Sequence, residues 1–548
     1  MKSKWFKMKR SSFIEGTLIA TVAIVVVKIL GMLYVIPFYA IVGVEGGALY
    51  AYAYNIYNIF LDISTVGLPI AISKITNEYN TLKMMDAKER AYKLSINIMR
   101  FVSIIVFVVL FIFAKPIAQA IIGNLVGGNT IDGVTTAIRF VSLAILVIPY
   151  LSVTKGYLQG HNIINIPSFG NVLEQVIRIA IVLLGSYVAI NVLHKNYEVG
   201  VDVALLGAFF GGLASYSYIK IKMRKNANEL VSKNVKKDKI TNKEILKKII
   251  SYSVPFIIIN TVASLYSFVD MLLVLRTMEH LGYDAVTVEF IASSISTWAA
   301  KINTIVASIA MGMTISLIPT IVEAYTLKDF KLVNKRINSS LKMIIFISLP
   351  LAIGISMLSK QVWNVFYGQS LIGSTILSMS VFVAVTANLF MISSSILQGL
   401  NKFKFVYIST IAGFVFNMIF DVPFMLLLNK LGLPPYLGAS ISSICGYSLS
   451  VIIALMTIKK EYNMSYRDTY NTLLKMLVPV GSLILVVSLI KLVPYTSTDM
   501  ISNIIYIAIN AVVGGVTYIL VAQKMGLIND ILGNHRVAKI IEKLTFKR

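Results

Sequence analysis

The stretch Phe101-Val-Ser-Ile-Ile-Val-Phe-Val-Val-Leu-Phe-Ile-Phe-Ala114 carries no charge. It sits inside a run from 95 to 122 whose only charged residues are Arg100 and Lys115. A helix crossing the hydrocarbon core of a bilayer needs about 20 apolar residues, at a rise of about 1.5 Å each across about 30 Å. The run exceeds that length. Backbone N–H and C=O groups in hydrocarbon must be satisfied within the segment, so the run reads as a helix and not as a loop or an open strand.

Working outward, the same reading repeats along the chain. Spans fall at 14–40, 47–73, 95–122, 134–156, 167–193, 201–221, 249–275, 288–320, 339–358, 371–397, 405–428, 436–458, 473–492 and 501–522. Spans 3, 8 and 10 are long enough to tilt or bend. Pro37, Pro69, Pro149, Pro255, Pro319, Pro350 and Pro423 fall in or near spans and suggest kinks. Composition agrees. Of 548 residues, 57% are hydrophobic and 14% charged, and the mean hydropathy is +0.78. Soluble domains run about 45–50% apolar and about 25% charged. Soluble enzymes, nucleic-acid-binding domains and disordered scaffolds are therefore poor fits. The expected fold class is an all-α polytopic membrane protein with fourteen transmembrane helices.

The net charge of +25 reads as topology. With the N-terminus inside, segments at the internal ends of the spans hold 39 Lys and Arg residues and those at the external ends hold 6. Lys28, Arg100, Arg139, Arg178 and Lys301 fall within spans. This asymmetry places both termini in the cytoplasm and favours an even number of spans. Five positive charges precede the first run, which is too long for a cleavable signal and reads as a helix that stays. The single cysteine, Cys445, excludes a disulfide framework, and the four histidines lack ligand spacing.

Two halves are visible. Leu158-Gln159-Gly160-His161-Asn162 precedes span 5, and Leu397-Gln398-Gly399-Leu400-Asn401 precedes span 11, 239 residues later. Pro69 with Glu78-Tyr79 after span 2 is echoed by Pro319 with Glu323-Ala324-Tyr325 after span 8. An offset of six spans keeps orientation, so the halves would be related by an axis along the membrane normal. The expected domains are an N-lobe at 1–222, a basic cytoplasmic linker at 223–248 and a C-lobe at 249–460. A helix pair at 461–522 and a basic amphipathic tail at 523–548 complete the chain. In such a design the substrate sits between the lobes and access alternates.

Ionisable residues at membrane depth are costly and each is a functional hypothesis. Lys28 shares a helical arc with Thr17, Thr21 and Gly31. The face of Lys301 continues through Thr304, Ser308 and Gly312. Coming from opposite lobes, the two lysines suit a diffuse anion such as a diphosphate, or are snorkelling or internally paired lysines. Asn55, Asn58 and Asp62 follow i, i+3, i+7 spacing beside four tyrosines, an arrangement for a wet cavity that contacts sugar or peptide, or for ordinary packing. Glu174 and Arg178 are four apart and can neutralise each other, which favours a structural pair. Arg100 and Arg139 lie near span ends, where they snorkel. Asp270, Asn417 and Asp421 supply oxygens without His or Cys, which suits a hard cation or a hydrogen-bonded helix contact. No Gly-x4-Gly-Lys-Ser/Thr loop and no external carboxylate cluster is present, so neither nucleotide hydrolysis by that route nor wall-assembly catalysis is expected.

The run Lys28-Ile29-Leu30-Gly31-Met32-Leu33-Tyr34-Val35-Ile36-Pro37 resembles the opening of the MurJ-type flippases, in particular the YtgP and stage V sporulation protein B branch. So do Gly46-Gly47-Ala48-Leu49-Tyr50, Pro69-Ile70-Ala71-Ile72-Ser73-Lys74, Gln159-Gly160-His161 and Phe366-Tyr367-Gly368. The resemblance covers nearly the whole chain. It implies the fold of the multidrug/oligosaccharidyl-lipid/polysaccharide (MOP) exporters, MATE-like, and movement of lipid II from the inner to the outer leaflet. Lys28 matches the family's first helix-1 arginine, and Lys301 its helix-8 arginine within one residue. Tyr34 stands at the second helix-1 arginine and Asp62 at the helix-2 arginine, which lowers the positive charge of the cavity. The resemblance also implies a lipid-tail groove on helices 13 and 14. It implies a sodium site of Asp270, Asn417, Asp421, the Ala439 carbonyl and the Ser443 hydroxyl, with proton coupling as the alternative.

The leading expectation is therefore a non-enzymatic flippase of the bacterial cytoplasmic membrane. It would be a monomer whose partners are a lipid-linked oligosaccharide and membrane lipids, with no nucleic acid and no cofactor beyond a coupling ion. The alternatives are export of another undecaprenyl-linked glycan (capsule, teichoic acid or a sporulation-specific unit) and cation-coupled drug export.

Overall fold

The computed structural model describes residues 13–65, 67–123, 125–226, 230, 238–495 and 497–532. The side chains of Thr17, Thr21 and residues 311–319, Gly312 among them, lie outside the described residues, as do most of the basic linker and the tail from 533 onward. Every regular element among the described residues is helical. In chain order they are α1 Phe13–Leu33, α2 Val35–Thr65, α3 Gly67–Thr81, α4 Met85–Ile122, α5 Ile131–Ser142, α6 Ile148–Gly160, α7 Asn165–Ala180, α8 Tyr197–Lys225 and α9 Asn242–His280. There follow α10 Ala285–Ser293, α11 Ala299–Thr326, α12 Phe330–Met357, α13 Ser359–Tyr367, α14 Leu371–Gly399, α15 Phe403–Lys430, α16 Leu437–Tyr462, α17 Arg467–Lys491, α18 Met500–Lys524 and α19 Leu527–Leu532.

Among the described residues, twelve stretches are long and apolar enough to cross a membrane. They differ from the fourteen expected spans at two places. The first stretch, Val22–Thr81, is 60 residues long and joins the first two spans. The eighth span corresponds to α10 and α11, which are not among the twelve, and the side chains of 309 and 311–319 within α11 lie outside the described residues. The first stretch is broken at Gly43, whose φ of 69° and ψ of −169° interrupt α2. A residue without Cβ takes that left-handed φ at little steric cost.

The prolines divide into two groups. Pro255, Pro350 and Pro423 lie inside α9, α12 and α15. Pro37, Pro69 and Pro149 instead stand in the first turns of α2, α3 and α6. A proline has no N–H to lose there and its φ suits a helix start, so these three stand just after the breaks between consecutive helices.

The chain divides into two compact units, one of residues 1–275 with 279–293, the other of 276–278 with 294–548. The helix α9, which follows the linker in sequence, thus contributes most of its length to the first unit. Within that unit, glycines set how closely helices approach. A Cβ on Gly156 or Gly160 of α6 would lie 2.4 Å from the Pro69 carbonyl oxygen or 2.6 Å from that of Ser73, both on α3. A Cβ on Gly207 or Gly211 of α8 would lie 2.8 Å from the Arg178 carbonyl oxygen or 2.6 Å from that of Glu174, both on α7. Both pairs are small-xxx-small motifs, by which membrane helices pack backbone to backbone where no hydrophobic drive exists between them. Described parts of the linker are anchored as well. Asp238 accepts from the Ala87 N–H at 2.9 Å, and Lys88 donates to the Leu230 carbonyl at 3.1 Å.

In the second unit α15 packs on α16, α11 on α14, and the final pair α17–α18 on α12. The last contact buries Val480, Leu483 and Tyr518 against Phe346, Leu349 and Ile353. Tyr518 also donates to the Phe346 carbonyl at 2.9 Å. Asp499 caps α18 by accepting from the Ser502 N–H at 2.9 Å, a bond that holds its carboxyl below the usual range.

The internal repeat is visible in the turns. After α6, the Ile163 N–H returns to the Leu158 carbonyl at 3.0 Å, and after α14 the Lys402 N–H returns to Leu397 at 2.8 Å. Asn162 and Asn401 take φ of 60° and 58° in these turns. The ends of α3 and α11 match in the same way. Met84 bonds to Tyr79 at 2.9 Å and Asp329 to Ala324 at 3.0 Å, with Lys83 and Lys328 at φ 59° and 57°. Each is a six-to-one helix stop with a left-handed residue.

Candidate functional site

Lys28 stands on α1 opposite α7. Gly31, one turn on, lets the helices approach, since a Cβ there would meet Gln175 Nε2 at 3.3 Å. Between them lies a cleft of about 200 Å³, bounded by Ile24, Val27 and Lys28 of α1 and by Asn171, Glu174, Gln175 and Arg178 of α7. Glu174 is the hub of its charges. Its carboxylate accepts from Arg178 Nη2 at 3.1 Å and from Lys155 Nζ at 2.9 Å. The local pair expected from the i, i+4 spacing forms, and Lys155 of α6 joins it. Two cationic side chains thus meet one carboxylate, and Lys28 lines the same cleft from α1.

The aromatic wall comes from α2. Tyr50 and Tyr54 stack with ring centroids 5.4 Å apart, and Tyr34 Oη lies 3.5 Å from Tyr50 Oη. The Arg178 guanidinium is within electrostatic reach of Tyr50, Tyr54 and Tyr57. Further along α2, the buried Asn55 donates to the Ala51 carbonyl at 2.8 Å and reaches Met271 Sδ at 3.8 Å. Asn58 is half-buried. Asp62 accepts a hydrogen bond from Ser264 of α9. Asn55 and Asp62 are therefore brought against α9, while Tyr34 faces the tyrosines.

Lys301 opens α11 in the second unit and is half-buried. Its carbonyl accepts from Thr304 Oγ1 at 2.6 Å, and the neighbouring Asn303 ties α11 to the Ser380 carbonyl of α14 at 3.0 Å.

Also in the second unit, Asn417, Asp421, Ala439 and Ser443 are buried together on α15 and α16. Asn417 Nδ2 donates to Asp421 Oδ1 at 3.0 Å and to Ser443 Oγ at 3.2 Å. Gly438 permits this approach, because a Cβ there would sit 2.4 Å from the Met425 backbone nitrogen. Asn417 Oδ1 is buried without a hydrogen-bond partner among the described residues. A carboxylate, a hydroxyl and an amide oxygen, the last without a hydrogen-bond partner among the described residues, are the donor types a hard cation takes. Asp270 is buried on α9, in the first unit. Among the described residues no three His, Cys, Asp or Glu side chains group as for a transition metal.

A larger cavity of about 810 Å³ lies at the loop end of α4, α6 and α8, beside Tyr92, Tyr157, Tyr216 and Lys220. Lys220 there donates to Tyr92 Oη at 3.2 Å, as a lysine at a helix end does when it snorkels. Arg139 also behaves as a helix-end residue, donating to the Phe111 carbonyl at 3.3 Å. Sequence reasoning missed Lys155 and the α7 seat at Gly207 and Gly211. The glycine pair was legible as a small-xxx-small pattern in an apolar run. Lys155 was not, because nothing local links it to a carboxylate nineteen residues away.

An all-helical, multi-pass membrane protein with charged clefts inside its helical units is the class these features define. A family model described as polysaccharide biosynthesis protein matches residues 13–325, and a second, MatE, matches 255–422. The chain is 30% identical to the lipid II flippase MurJ of Bacillus subtilis (strain 168), over 95% of this chain and 97% of that protein. Its fold matches a solved structure of lipid II flippase MurJ in an inward closed conformation, with a TM-score of 0.68, 16% identity and coverage of 94% and 100%. It also matches an inward-facing MATE family multidrug resistance transporter of the MOP superfamily, with a TM-score of 0.65, 16% identity and coverage of 81% and 99%. The chain belongs to the MurJ-type branch of the polysaccharide biosynthesis family, with the MOP superfamily fold.

Proposed function

We propose that this protein is a flippase that carries the undecaprenyl-diphosphate-linked peptidoglycan precursor, lipid II, from the inner to the outer leaflet of the bacterial cytoplasmic membrane. The observation that carries this reading is the likeness to the B. subtilis lipid II flippase along essentially the whole of both chains. The cationic cleft at Lys28 supports it chemically. A diphosphate moved through a low-dielectric interior needs fixed positive charge to replace its water, and lysines provide point charges without a catalytic role. Lys28 and Lys301 hold the diphosphate, and the tyrosines and polar face of α2 contact the headgroup. The protein is a monomer, is not an enzyme, and works by alternating access. It has both termini inside and fourteen crossings. The break at Gly43 in the long first stretch and the length of α11 support that number.

Transport is coupled to sodium at Asp270, Asn417, Asp421, Ala439 and Ser443. The buried oxygens around Asn417 and Asp421 support this. A bound cation there neutralises carboxylate charge in the membrane interior.

Depletion of the protein in its own cell tests the function. Lipid II should accumulate and become protected from an externally added enzyme that cleaves its headgroup. Unchanged surface exposure, with no second flippase present, rejects the reading. Protection of a different undecaprenyl-linked glycan, with lipid II unaffected, shifts the substrate.

A further inference from the structure

We propose that Arg178 is a third diphosphate-binding cation beside Lys28 and Lys301, and that Glu174 is an internal stand-in for the substrate's phosphate, released when substrate arrives. This rests on the flippase reading above and assigns a ligand-contacting role to a pair that its spacing alone marks as structural.

Arg178 lines the same small cleft as Lys28. Its guanidinium offers five N–H donors. Among the described residues it makes one hydrogen bond, from Nη2 to Glu174, and its Nε is buried without a partner. A half-buried guanidinium so sparsely used has capacity for an anion, and its fork matches a phosphoryl group with two parallel bonds. A merely structural arginine would be expected to spend more of its donors.

Glu174 is built to let go. Both its oxygens are engaged, one by Arg178 and one by Lys155. When Arg178 turns to a phosphate, Lys155 remains to hold the carboxylate, so no charge is stranded in the interior. The backbone beneath both residues is fixed, because the Glu174 and Arg178 carbonyls rest on Gly211 and Gly207 of α8. The exchange is thus one of side chains on a rigid seat. The size of the cleft agrees. About 200 Å³ is below the range of roughly 300–1,000 Å³ that holds a drug-sized ligand, and it suits a phosphoryl group with the glycan left outside. A bound diphosphate would meet an ammonium from α1 and a guanidinium from α7 on one wall of the first unit.

The test is equilibrium binding of undecaprenyl diphosphate to the purified full-length protein in nanodiscs, with undecaprenyl monophosphate as the comparison ligand. Wild type should bind the diphosphate more tightly. Arg178→Gln should weaken diphosphate binding by about tenfold or more, as expected for a lost charge-assisted contact. Glu174→Gln should bind at least as tightly as wild type, since the competing carboxylate is gone. The decisive variant is the double Glu174→Gln, Arg178→Gln, which removes both members of the pair together and leaves Lys155 facing an uncharged amide oxygen, with an unchanged thermal melt as the check that it folds. If Arg178 serves only to neutralise Glu174, the double variant binds and flips like wild type, and the proposal is overturned. If it binds as weakly as Arg178→Gln alone, the proposal stands. Failure of wild type itself to bind the diphosphate overturns the flippase reading and this proposal with it.

Discussion

At the scale of single residues, Lys28 separates charge from mere polarity. It shares its cleft with a carboxylate that two other cations also hold, and it brings an ammonium from α1 to that cleft. Lys28→Gln and Lys301→Gln should each lower flipping in vesicles without lowering protein abundance, and arginine at either site should restore more activity than glutamine. A double glutamine variant with full activity would show that both lysines are structural. The oxygens at Asn417 and Asp421 make a different prediction. A ligand that binds only the folded state stabilises it by mass action. The purified protein should therefore melt higher in sodium than in potassium, and Asp421→Ala should erase the difference. Identical melting of wild type in both salts across a wide concentration range removes the sodium site. Much of this chemistry was legible from spacing. Glu174 with Arg178 and Asn417 with Asp421 are i, i+4 pairs, and both form as expected. What spacing hides is partners from other helices, such as Lys155 at Glu174 and Ser264 at Asp62.

At the scale of elements, the packing of α7 on α8 decides whether the cleft keeps its shape. Gly211 has no room for a methyl group, because the atom it would meet is the backbone oxygen of Glu174. Backbone cannot rotate away as a side chain does. Gly211→Ala should therefore push α7 off its seat and lower thermal stability by about 1–3 kcal/mol, the usual cost of overpacking. It should also reduce flipping. Gly515→Ala on α18 is the control, since a Cβ there meets nothing within 4 Å, and it should be neutral in both measurements. Wild-type stability in the Gly211 variant would mean the helices tolerate wider spacing than their geometry implies. The helices themselves were legible because apolar length is a strong signal. Their ends were less so. Pro37, Pro69 and Pro149 read as kinks from position alone and stand just after the breaks between consecutive helices, whereas the break in α2 falls at Gly43, one small residue in an apolar run. The matching helix stops at Asn162 and Asn401 were announced by the Leu-Gln-Gly repeats.

At the scale of the whole molecule, the distribution of positive charge is the property that bears on orientation. Lysine and arginine resist translocation, so the side that holds 39 of them should be cytoplasmic and the side that holds 6 external. The number of crossings follows from how the first long stretch and α11 are counted. Sixty residues of helix would extend about 90 Å, three times the hydrocarbon thickness of about 30 Å, so Val22–Thr81 cannot be one straight crossing. The break at Gly43 divides it into two limbs. If α11 also crosses, the total is even and the two termini share a side. Reporter fusions after Lys248 and after Arg548 should then both be active only as cytoplasmic reporters. A cytoplasmic Lys248 with an external Arg548 would mean an odd number of crossings beyond the linker and would remove one helix of the second unit from the membrane. α11 would be the first helix to examine, because Lys301 places a charge near its start. Labelling single cysteines introduced along 299–326 in a Cys445→Ser background would then show whether that helix lies in water or in lipid.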